Sequence, residues 1–309
     1  MPTQSKWQGL PTEAINPVSL AIDKTPVRDI VEMVVNEDRK VVNAVHKEKE
    51  RIAHGVEIIT QALRKGGRVI FVGAGTSGRL GVVEASEMPP TFGTSPTLVQ
   101  AIMAGGQEAV FKAKEGVEDN YEEGARSIAR LRLGRKDVVV GVSASGMTPF
   151  VRGGLTRARK SGAKIIFVTC WPGADLANFV DLQIAPAVGP EIIAGSTRLK
   201  AGTAQKLVLN MISTAAFVRS GKVYENMMVD LMANSQKLVE RGRRTVMTVT
   251  GCDYNAAAHA IDAAGKSVKT AIVMLKLGCK REEAERRLAA ADGFVRGALG
   301  EAGARSGHV

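Results

Sequence analysis

The sequence has few of the residues that build disulfides, metal sites or aromatic-rich cores. Its three cysteines, Cys170, Cys252 and Cys279, are odd in number, widely spaced and outside any CxxC pair, which argues against a disulfide framework and a zinc site. The four histidines show no HExxH-type spacing, so metal-based and histidine-based catalysis have little support. Aromatic residues make up 4% of the chain, beside 45% hydrophobic and 24% charged residues, which argues against disorder and against a β-sandwich.

Long apolar runs are also lacking. No run reaches the roughly 18 residues that cross a bilayer, and MPTQSKWQGLPTEAINP lacks the charged-then-apolar order of a signal peptide. We therefore expect a cytoplasmic protein with no membrane partner. The formal net charge is +11, but the basic residues are scattered, so we expect no nucleic-acid partner. The basic residues either form an ordinary solvated surface or create an electrostatic field that attracts an anionic substrate.

Hydrophobic periodicity predicts helices at both ends of the chain and a sheet between them. Apolar residues spaced by three and four predict a helical segment from about residue 18 to 65, through Ile30, Val34, Val41, Val45 and Ile52. Short runs, largely of β-branched residues, predict buried strands in a mostly parallel sheet with helices on both faces. These runs are Val69 to Val72, Leu98 to Met103, Val138 to Val142, Ile165 to Val168 and Leu182 to Ala185.

A long helix is predicted from about Gly202 to Arg219, where Gly221 terminates it. TGCDYNAAAHAIDAAG, KSVKTAIVMLKLG and REEAERRLAAADGFVRGALG then predict three helices separated by glycines. The chain is expected to divide into an N-terminal helical segment at 1–55, a doubly wound sheet domain at 56–222 and a small C-terminal helical region at 223–309.

A glycine-rich turn, GAGTSGR, directly follows the first predicted strand and begins a predicted helix. Ligands of open α/β sheets bind at the carboxyl ends of strands, and free N–H groups at a helix start attract anions. The turn therefore predicts phosphate binding by Gly75, Thr76, Ser77, Gly78 and Arg79. A dinucleotide site is the alternative, because GAGTSG matches the GxGxxG fingerprint, but no clear acidic ribose ligand ends the second strand.

Two further polar segments could donate to the same phosphate. SASGMTP follows the strand DVVVGV, and GSTRLKAGT precedes the long helix. The alternative for the second segment is an ordinary helix cap with solvated basic side chains. Together the segments supply seven candidate ligands: Ser143, Ser145, Gly146, Thr148, Ser196, Thr197 and Lys200.

Carboxylates are the remaining candidates for chemistry. Glu84 and Glu87 lie on the helix that the first turn begins, before Pro89-Pro90, which we expect to stop it. They could face the phosphate pocket. Glu115, Glu118 and Asp119 follow the segment after the second strand and are further candidates, while the alternative for every one of these residues is an exposed charge at a helix end.

Three long stretches closely resemble the N-acetylmuramic acid 6-phosphate etherases, which are similar in turn to the glucokinase regulatory protein. The stretches are GAGTSGRLGVVEASEMPPTFG, SASGMTPFV and GSTRLKAGTAQKLVLNMISTAAFVRSGKVYENMMVD, and the likeness extends from about Thr12 to near Gly293. The resemblance implies a cofactor-independent homodimeric lyase of the sugar isomerase (SIS) fold that acts on a sugar phosphate in cell-wall recycling. By motif, the family's two catalytic glutamates fall on Glu87, as proton donor, and Glu118, as its acid/base partner.

Three places depart from the family pattern. Met147 stands where an arginine is usual and removes an anion contact, Phe150 replaces a tyrosine, and Ala14-Ile15 replace residues that are often basic. Two rival functions share the same phosphate turns: an SIS aldose-ketose isomerase, which removes a carbon 2 proton without breaking an ether, and a non-catalytic sugar-phosphate sensor.

Overall fold

A computed structural model describes residues 9–176, 178–232 and 235–301. The chain divides into two compact units. The first contains the described residues up to Ala85 together with Thr97–Ser213, and the second contains Ser86–Pro96 and the described residues from Thr214 onward. The predicted three-segment division remains a prediction.

The first unit contains a five-stranded parallel sheet, as predicted from the short apolar runs. Its strands are β1 (Val69–Gly73), β2 (Val99–Met103), β3 (Val138–Val142), β4 (Lys164–Val168) and β5 (Leu182–Ile184). Their spatial order is β2-β1-β3-β4-β5. Because the chain leaves β1 for β2 on one side and returns to β3 on the other, a crevice opens between the carboxyl ends of β1 and β3.

Central strands of this sheet are covered on both faces, which explains their continuous apolar sequences. Every residue of β1 and of β3 is buried. Among the described residues, seven α-helices precede, separate or follow these strands along the chain: α1 (Val27–Lys47), α2 (Lys49–Arg64), α3 (Gly75–Phe92), α4 (Glu108–Phe111), α5 (Tyr121–Arg130), α6 (Pro149–Lys160) and α7 (Lys200–Val218).

Helix α1 has two apolar faces. Val41 and Val45, predicted from the periodicity, are buried in the first unit. Four valines at spacings of four, four and seven remain exposed on one face of the helix. They are Val27, Val31, Val35 and Val42, with 78%, 58%, 43% and 60% of their surface exposed.

Pro89 and Pro90 do not stop α3, and the expectation that they would is wrong. The helix continues to Phe92 with both prolines inside it. Each proline lacks the amide proton of its own helical hydrogen bond, but the residues after it keep the helical path, and the amide of Gly93 donates to the Pro89 carbonyl at 3.0 Å. Gly93, with a φ of 61°, follows the helix end.

The second unit is largely helical. The rings of Phe92 and Phe217 stack in it at 4.9 Å between centroids. A short antiparallel pair, β6 (Val223–Tyr224) and β7 (Met227–Met228), precedes the helices, and the periodicity did not predict it. The helices are α8 (Gln236–Thr250), α9 (Tyr254–Ala263), α10 (Val268–Leu277), α11 (Arg281–Ala290) and α12 (Val295–Ala298).

The last predicted helix is two helices in the structure. The positive φ angles of Asp292 and Gly293, 51° and 80°, break the helical path between α11 and α12. The aspartate–glycine pair was a sufficient signal for this break.

No helix among the described residues has the length and hydropathy of a membrane span.

Candidate active site

The first glycine-rich turn connects β1 to α3 through a very close backbone approach. A Cβ added to Gly73 would lie 2.6 Å from the amide nitrogen of Gly78. A Cβ on Gly78 would lie 2.8 Å from the Cγ of Met103 at the end of β2. Only glycine at both positions therefore allows α3 to begin directly at the carboxyl end of β1.

This arrangement leaves the first backbone amides of α3 available. The amide of Gly78 donates to the Ala74 carbonyl at 3.1 Å, whereas the amides of Gly75, Thr76 and Ser77 precede the first helical hydrogen bond. Free amides at a helix start attract negative charge. The start of α3 therefore has amide donors that a bound anion could accept from.

A cleft of about 370 Å³ opens over this turn, within the size range of small-molecule sites. The crevice between β1 and β3 leads into it, as expected from the strand order. Eight of the fourteen predicted site residues line the cleft: Gly75, Thr76, Ser77, Arg79, Glu118, Ser145, Thr148 and Thr197.

The other six predicted residues are not part of the lining. Gly78 belongs to the first turn and Ser143 and Gly146 belong to the second, but none of them lines the cleft. Gly146 has a φ of 72°, and a Cβ there would lie 2.8 Å from the Cβ of Ala174. The remaining three are Ser196, Lys200 and Glu87, which stay predictions as ligands or catalysts.

The second turn is fixed by hydrogen bonds between its own hydroxyl groups. The Oγ of Ser143, which is buried, lies 2.7 Å from the Oγ1 of Thr148. The amide of Met147 donates to the Oγ of Ser145 at 3.3 Å. Thr148 and Ser145 thereby reach the cleft with defined orientations, while Ser143 supports Thr148 from below.

The start of α7 already holds an internal anion. The fully buried carboxylate of Glu191 accepts hydrogen bonds from the amides of Lys200 and Ala201, each at 2.9 Å. Burial raises the pKa of Glu191, although these hydrogen bonds oppose the shift. Because a carboxylate occupies this helix start, the start of α3 is the better place for a substrate anion.

Lys200 is directed away from the cleft. Its Nζ donates to the Oε2 of Glu37 at 2.7 Å, and both side chains are almost completely buried. Asn16 donates to the same oxygen at 3.0 Å, and Lys40 contacts the other oxygen. The lysine thus ties the start of α7 to α1 and to the N-terminal segment.

Arg79 tethers the segment that follows β2. Its Nε donates to the Val110 carbonyl at 2.8 Å and its Nη2 to the Ala109 carbonyl at 2.7 Å. Arg79 therefore fixes α4, which leads to Glu118, and it also lines the cleft, while its role as a phosphate ligand stays a prediction.

Glu118 lies in a single 3-10 turn, Val117–Asp119, preceded by Gly116 at a φ of 74°. Its half-buried side chain lines the cleft, and so do the neighbouring Glu115 and Asp119. The cleft therefore brings carboxylates close to the anion-binding amides. Within the described ranges, no group of three or more His, Cys, Asp or Glu side chains could hold a metal ion.

Glu84 and Glu87 differ sharply in their surroundings. Glu84 is buried, and its carboxylate accepts hydrogen bonds from Ser213 at 2.6 Å and from Asn210. It serves to join α3 to α7. Glu87 is exposed on α3 in the second unit, whereas the cleft lining belongs entirely to the first.

Two charged residues of the lining were not identified as candidates from the sequence. Glu13 reaches the cleft because the amide of Gly195 donates to the Thr12 carbonyl at 3.0 Å and joins these distant segments. Lys114 also lines the cleft and pairs with Glu108 at 2.6 Å. Neither residue has a local sequence signal, since long-range folding places both.

Comparison with known proteins agrees with this architecture. A family described as the glucokinase regulatory protein N-terminal SIS domain matches residues 51–159. Together with the parallel sheet and its glycine-rich turn, this match defines a protein of the SIS fold. Among solved structures, a phosphoheptose isomerase from Neisseria gonorrhoeae is 17% identical, with a TM-score of 0.49 over 62% of this chain and 99% of that chain.

The sequence relatives are much closer. An N-acetylmuramic acid 6-phosphate etherase from Salinibacter ruber is 55% identical over 94% of both chains. Etherases from Klebsiella aerogenes and Clostridium beijerinckii are 48% and 46% identical, covering 93% and 95% of this chain and 96% and 97% of their own lengths. This chain belongs to the N-acetylmuramic acid 6-phosphate etherase family.

Proposed function

We propose that this chain cleaves the D-lactyl ether of N-acetylmuramic acid 6-phosphate, giving N-acetylglucosamine 6-phosphate and D-lactate. The observation that carries the proposal is the 55% identity to an etherase across 94% of both chains. The cleft supports it independently, because a helix start that binds anions and the carboxylate of Glu118 line the same space.

The 6-phosphate is proposed to bind over the start of α3. The amides of Gly75 to Ser77 and the hydroxyls of Thr76 and Ser77 supply donors on one side. Ser145, Thr148 and Thr197 supply hydroxyls from the other side. Lys200 and Ser196 do not line the cleft, so its geometry does not support them as direct ligands. Arg79 lines the cleft and also donates a hydrogen bond to the Ala109 carbonyl.

The chemistry requires a base and an acid. After the sugar ring opens, the aldehyde at carbon 1 acidifies the proton on carbon 2. A base removes this proton, the bond from carbon 3 to the ether oxygen breaks, and an acid protonates the departing lactate oxygen. Water then adds to carbon 3 of the unsaturated aldehyde, and carbon 2 regains a proton.

Glu118 is proposed as the base and Glu87 as the acid. The place of Glu118 in the cleft supports its role directly. The role of Glu87 is supported by its position in the ASEMPP motif of the family. A general acid of this kind must carry its proton at neutral pH when the substrate is bound.

We also propose that the chain acts as a homodimer in the cytoplasm, as the family resemblance implies. The exposed valine face of α1 supports self-association, because a row of apolar side chains on a helix surface favours burial against a partner. We therefore propose that the valine face of α1 packs against a second copy of this chain.

Labelled water separates the etherase from its two rivals. Purified protein is incubated with N-acetylmuramic acid 6-phosphate in water enriched in ¹⁸O and deuterium. The etherase is expected to release lactate, place solvent oxygen on carbon 3 and exchange the carbon 2 proton. Formation of a ketose would instead identify an isomerase, and binding without any reaction would identify a sensor.

A further inference from the structure

A buried hydrogen bond joins the cleft to the interior of the first unit. The Oγ of Ser77, which lines the cleft, lies 2.9 Å from the Oε1 of Gln205 on α7. Only 1% of the surface of Gln205 is exposed. Gln205 is absent from the cleft lining, and its hydrogen bond to Ser77 connects it to the cleft.

The amide of Gln205 is incompletely paired. Its Nε2 has no hydrogen-bond partner among the residues that the structure describes. Native proteins pair nearly all buried polar groups, so an unpaired buried donor calls for a physical reason. Helix α7 lies close to the start of α3 near this pair, since a Cβ added to Gly202, on the first turn of α7, would lie 3.3 Å from the Cγ2 of Thr76.

The hydrogen bond between Ser77 and Oε1 of Gln205 can have only one direction. A serine hydroxyl has one proton, and a carbonyl oxygen can only accept. The bond to Oε1 therefore uses the one proton of Ser77 and leaves its hydroxyl oxygen with no proton to donate to a ligand. In this state Ser77 would repel an anion instead of binding it.

We propose that Gln205 is a positioning residue whose side-chain amide turns over when an anion enters the cleft, so that Nε2 donates to Ser77 and the Ser77 proton passes to the anion. The rotation exchanges Oε1 and Nε2 in nearly the same space. Nε2 gains an acceptor while Oε1 gives up its hydrogen bond from Ser77, and the new bond from Ser77 to the charged ligand offsets this loss within a chain of two hydrogen bonds.

The inference deepens the proposed function, because it rests on the binding of the 6-phosphate at the start of α3. It also explains why a buried amide lies behind this hydroxyl. Glutamine can present either a donor or an acceptor to Ser77, whereas a carboxylate could only accept and an apolar side chain could do neither.

A double-mutant cycle tests the coupling. The dissociation constant of the product, N-acetylglucosamine 6-phosphate, is measured by calorimetry for the wild type, Ser77→Ala, Gln205→Glu and the double variant. In the presence of Ser77, Gln205→Glu should weaken binding by about 10- to 100-fold, the loss expected for a hydrogen bond to a charged group. In the Ser77→Ala background the loss should be at least about fivefold smaller. Equal losses in both backgrounds would refute the proposal.

Gln205→Met is the control for side-chain volume. It removes both amide groups, so Ser77 keeps its proton for the anion, and the loss of affinity should be clearly smaller than for Gln205→Glu. A loss as large as that of Gln205→Glu would indicate a packing role and overturn the proposal. For each variant, KM is expected to rise while kcat changes by less than about threefold, because the hydroxyl contributes uniform binding.

A second measurement follows the side chain of Gln205 in the wild-type chain. The side-chain amide signal of Gln205 is identified in an ¹⁵N spectrum by its loss in Gln205→Met. Saturation with inorganic phosphate should shift this signal, and an unchanged signal would contradict the rotation. Product binding without lactate release would refute the etherase function and leave this inference intact, whereas failure of the wild type to bind any sugar phosphate would overturn it.

Discussion

Lys200 and Glu37 form a buried ion pair although 163 residues separate them in the chain. Burial alone would raise the pKa of Glu37, but hydrogen bonds from Lys200, Lys40 and Asn16 outweigh it and lower the pKa to about 2. A carboxyl group with a lowered pKa stabilises the fold above its ordinary value of 4.5. That contribution is lost as the pH falls from 4.5 toward 2.

Lys200→Met tests this pair. Removing the ammonium leaves a buried carboxylate poorly compensated, so we expect the free energy of unfolding at pH 7 to fall by about 3–5 kcal/mol. The decrease in stability between pH 7 and pH 3 should also be smaller in the variant, because the pKa of Glu37 moves back toward its ordinary value.

Urea denaturation at both pH values measures these effects. Lys206→Met is the matched control, since Lys206 is an exposed lysine on the same helix and should change stability by less than about 0.5 kcal/mol. Equal stability of the two variants would show that the Glu37 pair contributes nothing to the fold.

Individual side chains show where prediction from sequence ends. Gly75, Thr76 and Ser77 could be predicted because a local strand–turn–helix pattern fixes their position. Lys200 has an equally polar local sequence, but a buried carboxylate far along the chain determines where its ammonium lies. Glu13 and Gln205 acquire their positions in the same way and had no local signal.

The turn from β1 to α3 depends on two glycines at van der Waals contact with backbone and side-chain atoms. A Cβ on Gly78 would approach both the Met103 Cγ at 2.8 Å and the Gly73 carbonyl oxygen at 2.9 Å. The backbone oxygen has no room to move without displacing the start of α3.

Gly78→Ala should therefore destabilise the fold by about 1–3 kcal/mol, the usual effect of overpacking. The displaced helix start should also bind N-acetylglucosamine 6-phosphate more weakly. Gly134→Ala is a suitable control, because an added Cβ there meets no atom within 4 Å. Thermal unfolding and calorimetry measure both effects, and a Gly78→Ala variant as stable as Gly134→Ala would contradict the argument.

Secondary structure was predictable where one physical signal dominated. Short apolar runs predicted all five strands of the parallel sheet to within one or two residues. The expected helix end at the prolines of α3 was wrong because a proline removes only its own helical hydrogen bond, and the residues after it can continue the helix, as they do to Phe92. The two-residue strands β6 and β7 are too short for any periodicity to reveal.

The whole molecule is proposed to be a homodimer, and its mass in solution tests this directly. Light scattering should give twice the mass of the chain, because the exposed valines of α1 favour burial against a second copy. A mass equal to one chain across the micromolar range would contradict the homodimer.

Lactate release by glutamate variants tests whether Glu118 and Glu87 carry out the etherase chemistry. With N-acetylmuramic acid 6-phosphate at saturation, Glu118→Gln and Glu87→Gln should each release lactate about 100- to 10,000-fold more slowly than the wild type. Both variants should still bind N-acetylglucosamine 6-phosphate. Glu115→Gln, a neighbouring carboxylate of the same cleft, should retain most activity. Near-normal lactate release by Glu118→Gln would contradict the account.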